Sequence, residues 1–175
     1  MADKITVALI YDFDGTLAPG NMQEYDFIPA VGKSNMEFWH EANTLAEEQD
    51  ADQVLTYMAR MIQEAQSKSL SLRREAFQES GRNIVYYNGV EGWFPRMNAY
   101  AAERGIRLLH YINSSGMKEI IEGTSIAHEF KHIYACSFLY NVDGIAYWPA
   151  VAINYTNKTQ FIFKINKGVE SVYDT

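Results

Sequence analysis

A single cysteine, Cys136, stands in a chain of 175 residues, so no internal disulfide can form and the fold must be held by packing. Long apolar runs are missing too: no stretch approaches the roughly 20 residues needed to cross a bilayer, which excludes a membrane span and leads us to expect a soluble protein. Positive charge is scarce. Lys and Arg number 15 against 22 Asp and Glu, a formal charge of −7, and no basic run occurs, so neither nucleic acid nor a membrane is an expected partner. Internal repeats and low-complexity stretches are absent. Met1-Ala2-Asp3-Lys4 shows no signal-peptide pattern, and the cytoplasm is the expected compartment. What the chain does have is apolar content, 47% of residues, which excludes disorder and suffices for one real core or a core with a modest insertion.

The organising stretch is Tyr11-Asp12-Phe13-Asp14-Gly15-Thr16-Leu17, directly after the apolar run Val7-Ala8-Leu9-Ile10. Four consecutive apolar residues read as a strand buried on both faces, as in a parallel sheet covered by helices. Ligands gather at the carboxyl ends of such strands, so both acids are expected to face a cleft. Asp12 is the candidate nucleophile, able to attack phosphorus and form an aspartyl-phosphate. Asp14 is placed to shuttle the proton, and a bound Mg²⁺ would offset the repulsion between the two anions. Gly15 allows a tight turn that brings backbone N–H groups to a phosphate, and the Thr16 hydroxyl adds a donor. A simpler reading is a hairpin turn at Asp14-Gly15 between two apolar segments. A calcium loop starting at Asp12 fails, because it needs a glycine and a bidentate glutamate where the chain has Leu17 and Gln23.

After Ala18-Pro19-Gly20-Asn21 the pattern turns helical. Ser34 is placed to cap a helix carrying Phe38, Trp39, Ala42, Leu45 and Ala46. Asp50 or Asp52 starts a second, with Val54, Leu55, Met58, Met61, Ile62 and Ala65 on one face, and a third spans about Leu72 to Glu79. Residues 18–88 therefore read as a helical cap inserted into an α/β core made of residues 1–17 and 89–175. The core resumes with a helix from about Gly92 to Glu103, closed at Gly105, and a strand from Ile106 to Ile112. Asn113-Ser114-Ser115-Gly116 follows, then a helix start at Met117. A serine at a strand end with a helix N-terminus beyond it is either an anion site, using Ser114 and Ser115, or a plain N-cap. A strand from Ile133 to Tyr140, a turn at Asn141-Val142-Asp143-Gly144, and a β excursion over Ile145 to Tyr155 broken by Pro149 come next. Asn157 then opens a last helix that carries Lys158 in its first turn, where a cation is disfavoured unless something anionic lies nearby. Lys164 and Lys167 compete with it for an active-site role.

In this order, Asp12-Phe13-Asp14-Gly15-Thr16, Ser114 and Lys158 resemble the motifs of the haloacid dehalogenase (HAD) superfamily of phosphatases, over nearly the whole chain. The resemblance implies a Rossmann-like parallel sheet with an inserted helical cap. It implies Asp12 as phosphorylated nucleophile and Asp14 as general acid and base, with the Asp14 carbonyl also on Mg²⁺. Ser114 then binds the transferring phosphoryl group and Lys158 neutralises its charge. Asp14 favours phosphoester hydrolysis over carbon–halogen or carbon–phosphorus cleavage, since an alkoxide leaving group needs an acid. The stretch from Ser114 to Gly144 looks like the same region of phosphoserine phosphatases, but their cap glutamate would fall at Asn21, with Glu24 nearby. The substrate is therefore expected to be a small phosphorylated metabolite, with Glu24, Tyr25, Trp39 and Arg60 as candidate cleft residues.

The family's further acidic Mg²⁺ ligands have no match after Lys158, where Glu170 and Asp174 are the acids available. The expectation is an N-terminal piece of a longer phosphatase, with an incomplete core, poor activity, and self-association through an exposed sheet edge. Two other readings remain. His128-Glu129-Phe130-Lys131-His132 fits the H-E-x-x-H zinc-peptidase pattern, in which both histidines share a helical face. A catalytically incomplete binding domain that keeps the fold is the third.

Overall fold

The computed structural model describes residues 5–173; Met1 to Lys4, Asp174 and Thr175 lie outside the described residues. Four strands form one sheet in the order β1-β2-β3-β4: β1 (Thr6–Tyr11), β2 (Arg107–Met117), β3 (His132–Tyr140) and β4 (Ala146–Val151). The first three run parallel, with Leu9 opposite His110 and Ile112 opposite Ile133, and β4 lies antiparallel to β3. The α/β class and the parallel core are thus as expected. The burial of β1 is not. It is an edge strand, exposed from Thr6 to Ala8 and half-buried from Leu9 to Tyr11, so the apolar run reflects one covered face rather than two. Pro149 does not break β4 but sits within it opposite Phe138, tolerated because β4 is the other edge and owes no second ladder.

Between β1 and β2 the chain builds α1 (Phe27–Ala30), α2 (Asn35–Gln49), α3 (Gln53–Ser67), α4 (Arg74–Gly81) and α5 (Val90–Glu103). Ser34 caps α2 as expected: its hydroxyl accepts the Glu37 N–H while the Glu37 carboxylate takes the Ser34 N–H, satisfying two end donors at once. Asp52 caps α3 by accepting from Val54 and Leu55 N–H. Its second oxygen takes the Asn154 side-chain N–H at 2.7 Å, which ties the start of α3 to the loop before the last helix.

The short α6 (Lys118–Glu122) follows β2, and α7 (Lys158–Lys167) closes the fold. Helix α4 lies backbone to backbone against α6. A Cβ on Gly81 would sit 2.1 Å from the Ile120 carbonyl oxygen, and one on Gly123 would sit 1.8 Å from that of Gln78. One apolar cluster runs through both layers, with Phe27 against Phe77 and Phe77 against Phe138. No helix among the described residues is long and apolar enough to cross a membrane.

Candidate active site

Asp12 is the first residue beyond β1. Its Oδ1 accepts the Phe13 N–H at 2.8 Å, and its Oδ2 receives Lys158 Nζ at 2.6 Å. Lys158 opens α7, and the Asn113 side-chain N–H donates to its carbonyl at 2.8 Å, pinning the start of that helix to β2 where its pairing with β3 slips. The end of β1, the middle of β2 and the start of α7 therefore fix the pair. Of the three candidate lysines, Lys158 meets Asp12; Lys164 turns to the Ser171 carbonyl, and Lys167 lies over the Phe163 ring.

Asp14 is held from the other side. Its Oδ1 accepts the Met22 N–H at 2.9 Å, and a Cβ on Gly116 would fall 2.8 Å from Oδ2 and 2.1 Å from Met22 Cε. Gly116 is glycine because the carboxyl group and the thioether fill the space a side chain would need. Burial pushes Asp14 up to about 7, and the nearby Asp12 and Glu24 charges add to the shift while the Met22 N–H and Lys158 oppose it. The group is thus a carboxylic acid near neutrality, able to give or take a proton.

Strand β2 runs further than the sequence pattern foretold, through Asn113-Ser114-Ser115-Gly116 to Met117, but its pairing with β3 slips between Asn113 and Met117. Ser114 is fully buried and its Oγ accepts the Gly116 N–H at 3.0 Å. The Ser115 carbonyl, released from the ladder, accepts the Tyr57 hydroxyl at 2.7 Å and the Cys136 thiol at 3.3 Å.

Asp12, Asp14, Ser114 and Ser115 form one wall of a cavity of about 380 Å³. The opposite wall comes from the helical segment: Asn21 and Gln23 from the turn before α1, Trp39 and Asn43 from α2, and Gln53, Val54 and Tyr57 from α3. Glu24 stands behind this wall rather than in it. Its Oε1 accepts from Asn21 Nδ2 at 2.7 Å and from Trp39 Nε1 at 2.8 Å. Arg60, expected at the cleft, is instead bound to Glu41 and Glu64, and Lys33 joins the same two carboxylates.

Gly15 and Thr16 are not among the residues that line this cavity. Their N–H groups are engaged within the turn, Gly15 to the Ala18 carbonyl and Thr16 to that of Phe13, so neither is free for a phosphate as expected. Thr16 opens instead onto a separate depression beside Tyr11 and Trp93. The left-handed conformation of Gly15, φ +70°, is what makes the turn possible. The zinc-peptidase pattern is also corrected. Ala127–Glu129 is a single 3-10 turn and His132 begins β3, so the two histidines share no helical face. Among the described residues no group of three or more His, Cys, Asp or Glu stands together to hold a metal. Asp12 supplies one carboxylate beside the Asp14 backbone carbonyl, which fits Mg²⁺, an ion usually held by one or two carboxylates together with water and substrate phosphate.

Sequence reasoning missed Asn113, Gln23, Asn43 and Gln53. Asn113 adjoined a recognised motif, but its reach to Lys158 spans 45 positions; the three amides lie on segments that read only as linker or helix surface.

A sequence model of the haloacid dehalogenase-like hydrolases matches residues 9–158. An uncharacterized protein of Borreliella burgdorferi is 29% identical over 190 aligned positions, which cover 93% of this chain; the chain spans 65% of that relative's length. Among solved structures, a HAD family hydrolase of Salmonella enterica serovar Typhi aligns with a TM-score of 0.65 at 13% identity, over 93% of this chain and 51% of that one. A phosphoserine phosphohydrolase-like protein of Francisella tularensis aligns with a TM-score of 0.56 at 18% identity, over 97% and 75%. A phosphoserine phosphatase solved as a phospho-aspartyl intermediate analogue gives 0.57 at 16% identity, over 95% and 74%.

Proposed function

The chain belongs to the haloacid dehalogenase-like hydrolases, and from that premise we propose that it is a phosphatase, hydrolysing a small phosphorylated metabolite through an aspartyl-phosphate on Asp12. One observation carries the reading: Asp12 and Lys158, 146 positions apart, meet at 2.6 Å, and Asp12 shares a cavity wall with Asp14 and Ser114. A carboxylate oxygen of Asp12 attacks phosphorus, and the bond from phosphorus to the alcohol oxygen breaks. Asp14, which keeps a proton up to about pH 7, gives it to the departing oxygen. Asp14 then takes a proton from a water that attacks the same phosphorus, releasing inorganic phosphate and restoring both carboxyl groups. Lys158 offsets the negative charge gathered on the transferring oxygens, and the Ser114 hydroxyl orients them. Mg²⁺, held by Asp12 and the Asp14 carbonyl, would supply further charge neutralisation when bound.

The test is turnover of p-nitrophenyl phosphate with Mg²⁺, wild type beside Asp12→Asn. A fall on the order of 10⁴-fold or more is expected on loss of the nucleophile. Equal turnover by the two proteins would dismiss the nucleophile.

A further inference from the structure

The two walls of the cavity carry opposite chemistry, and that opposition selects a substrate class. Resting on the phosphatase reading above, we propose that the alcohol half of the substrate is an uncharged polyhydroxylated chain or ring, as in sugar and polyol phosphates, recognised by the amides of Gln23, Asn21, Asn43 and Gln53.

Gln23 is the strongest pointer. It is 1% exposed, it lines the cavity, and its Oε1 has no hydrogen-bond partner among the described residues. A buried amide oxygen left unpaired costs about 1–3 kcal/mol, so a fold keeps one where a ligand completes it. Asn21 is oriented as well. Its Nδ2 is donated to Glu24, which leaves Oδ1 as the acceptor for a partner. Asn43 and Gln53 add amides with both a donor and an acceptor, and Trp39 and Val54 supply the apolar surface between them.

Charge excludes the alternatives. A carboxylate on the substrate would need a cation, yet no Lys or Arg is among the cavity-lining residues. The helical segment's Arg60 and Lys33 are held by Glu41 and Glu64, and Lys158 is held by Asp12. An ammonium group would need an anion on the same wall, and Glu24 is not among the cavity-lining residues, its Oε1 accepting from Asn21 Nδ2 and Trp39 Nε1 behind them. Hydroxyls both donate and accept, which matches the amide groups of the helix-side wall. A site built on such hydrogen bonds rejects analogues that lack them, because its own buried groups are then left unpaired.

Titration calorimetry on Asp12→Asn protein, which binds without turning over, compares glucitol 6-phosphate, O-phosphoserine, phosphoethanolamine and inorganic phosphate. Glucitol 6-phosphate is expected to bind roughly tenfold or more tightly than each of the others. Adding Gln23→Met should remove about tenfold of that affinity while inorganic phosphate binding stays unchanged. Gln53→Ala, at the exposed start of α3 where folding is not at stake, should remove about two- to fivefold. Phosphoserine or phosphoethanolamine binding as tightly as glucitol 6-phosphate overturns the substrate class, as does an amide variant that weakens phosphate and polyol phosphate alike. If inorganic phosphate itself fails to bind, the phosphatase reading falls and this inference falls with it.

Discussion

The sheet-side wall and the helix-side wall of the cavity face one another but solve different problems. The sheet side is ionic and cross-braced: Asp12 is fixed by Lys158, Lys158 by Asn113, and Asp14 by Met22. The helix-side lining carries no charged side chain: behind it Glu24 is hydrogen-bonded to Asn21 and Trp39, and Arg60 is paired with Glu41 and Glu64. Reaction chemistry needs groups whose position does not vary, whereas recognition of an alcohol needs only matched donors and acceptors. The division teaches that one family scaffold can keep the first wall while the second decides what enters.

The comparison breaks most visibly at Asp14. Asp14→Asn should lower kcat by about 10²- to 10⁴-fold, since the acid for the leaving group is gone. In the wild type the rate should fall as pH rises through about 7, where Asp14 loses its proton. Stability should move the other way. The folded state keeps a proton that the unfolded chain releases above about 3.8, so wild-type stability declines as pH rises from there to about 7. At pH 8 Asp14→Asn should therefore be more stable by about 2–4 kcal/mol, the gain vanishing near pH 4. Denaturant melts at the two pH values check this; a destabilised variant at pH 8 would show that Asp14 is not strained by its burial.

A second break separates the walls mechanically. Gly123→Ala drives a methyl group into the Gln78 carbonyl and should cost about 2–4 kcal/mol, because backbone cannot yield as a side chain can. Unfolding measured by denaturant would read it, and a cost under about 0.5 kcal/mol would mean that α4 is free to shift.

The smallest effect sharpens the contrast in the interior behind β1. His110 donates from Nε2 to Asn98, receives the Tyr11 hydroxyl at Nδ1, and Tyr11 in turn accepts from Trp93; the tautomer follows from these partners. Burial lowers the His110 pKa from about 6.5, so its contribution is complete above that pH and is lost as pH falls toward the lowered value. Between pH 7.5 and 5.5 the wild type should lose up to about 1 kcal/mol more stability than His110→Gln. Parallel losses in the two proteins would remove His110 from the account.

Much of the sheet-side wall was legible because it is written at strand ends. Asp12, Asp14 and Ser114 each follow a recognisable apolar run, and Lys158 stood where a cation at a helix start wanted an anion. The rest depended on distance in the fold. The edge position of β1 is a property of strand order, which no local pattern encodes, and it made an apolar run look doubly buried. Gly15 and Thr16 looked free because the sequence does not reveal that the turn closes on Ala18 and Phe13. The helix-side amides were invisible for a similar reason: Gln23 lies on a turn whose only mark was a break in the preceding strand.

The bond from Tyr57 to the Ser115 carbonyl has a consequence for turnover. Because the slipped strand no longer satisfies that carbonyl on its own, any swing of α3 away from the sheet leaves it only the Cys136 thiol, a weak donor, among the partners described above. The two halves thus share a latch whose release is resisted by about one buried hydrogen bond, enough to slow exchange of any occupant of the cavity several-fold without holding the site permanently shut.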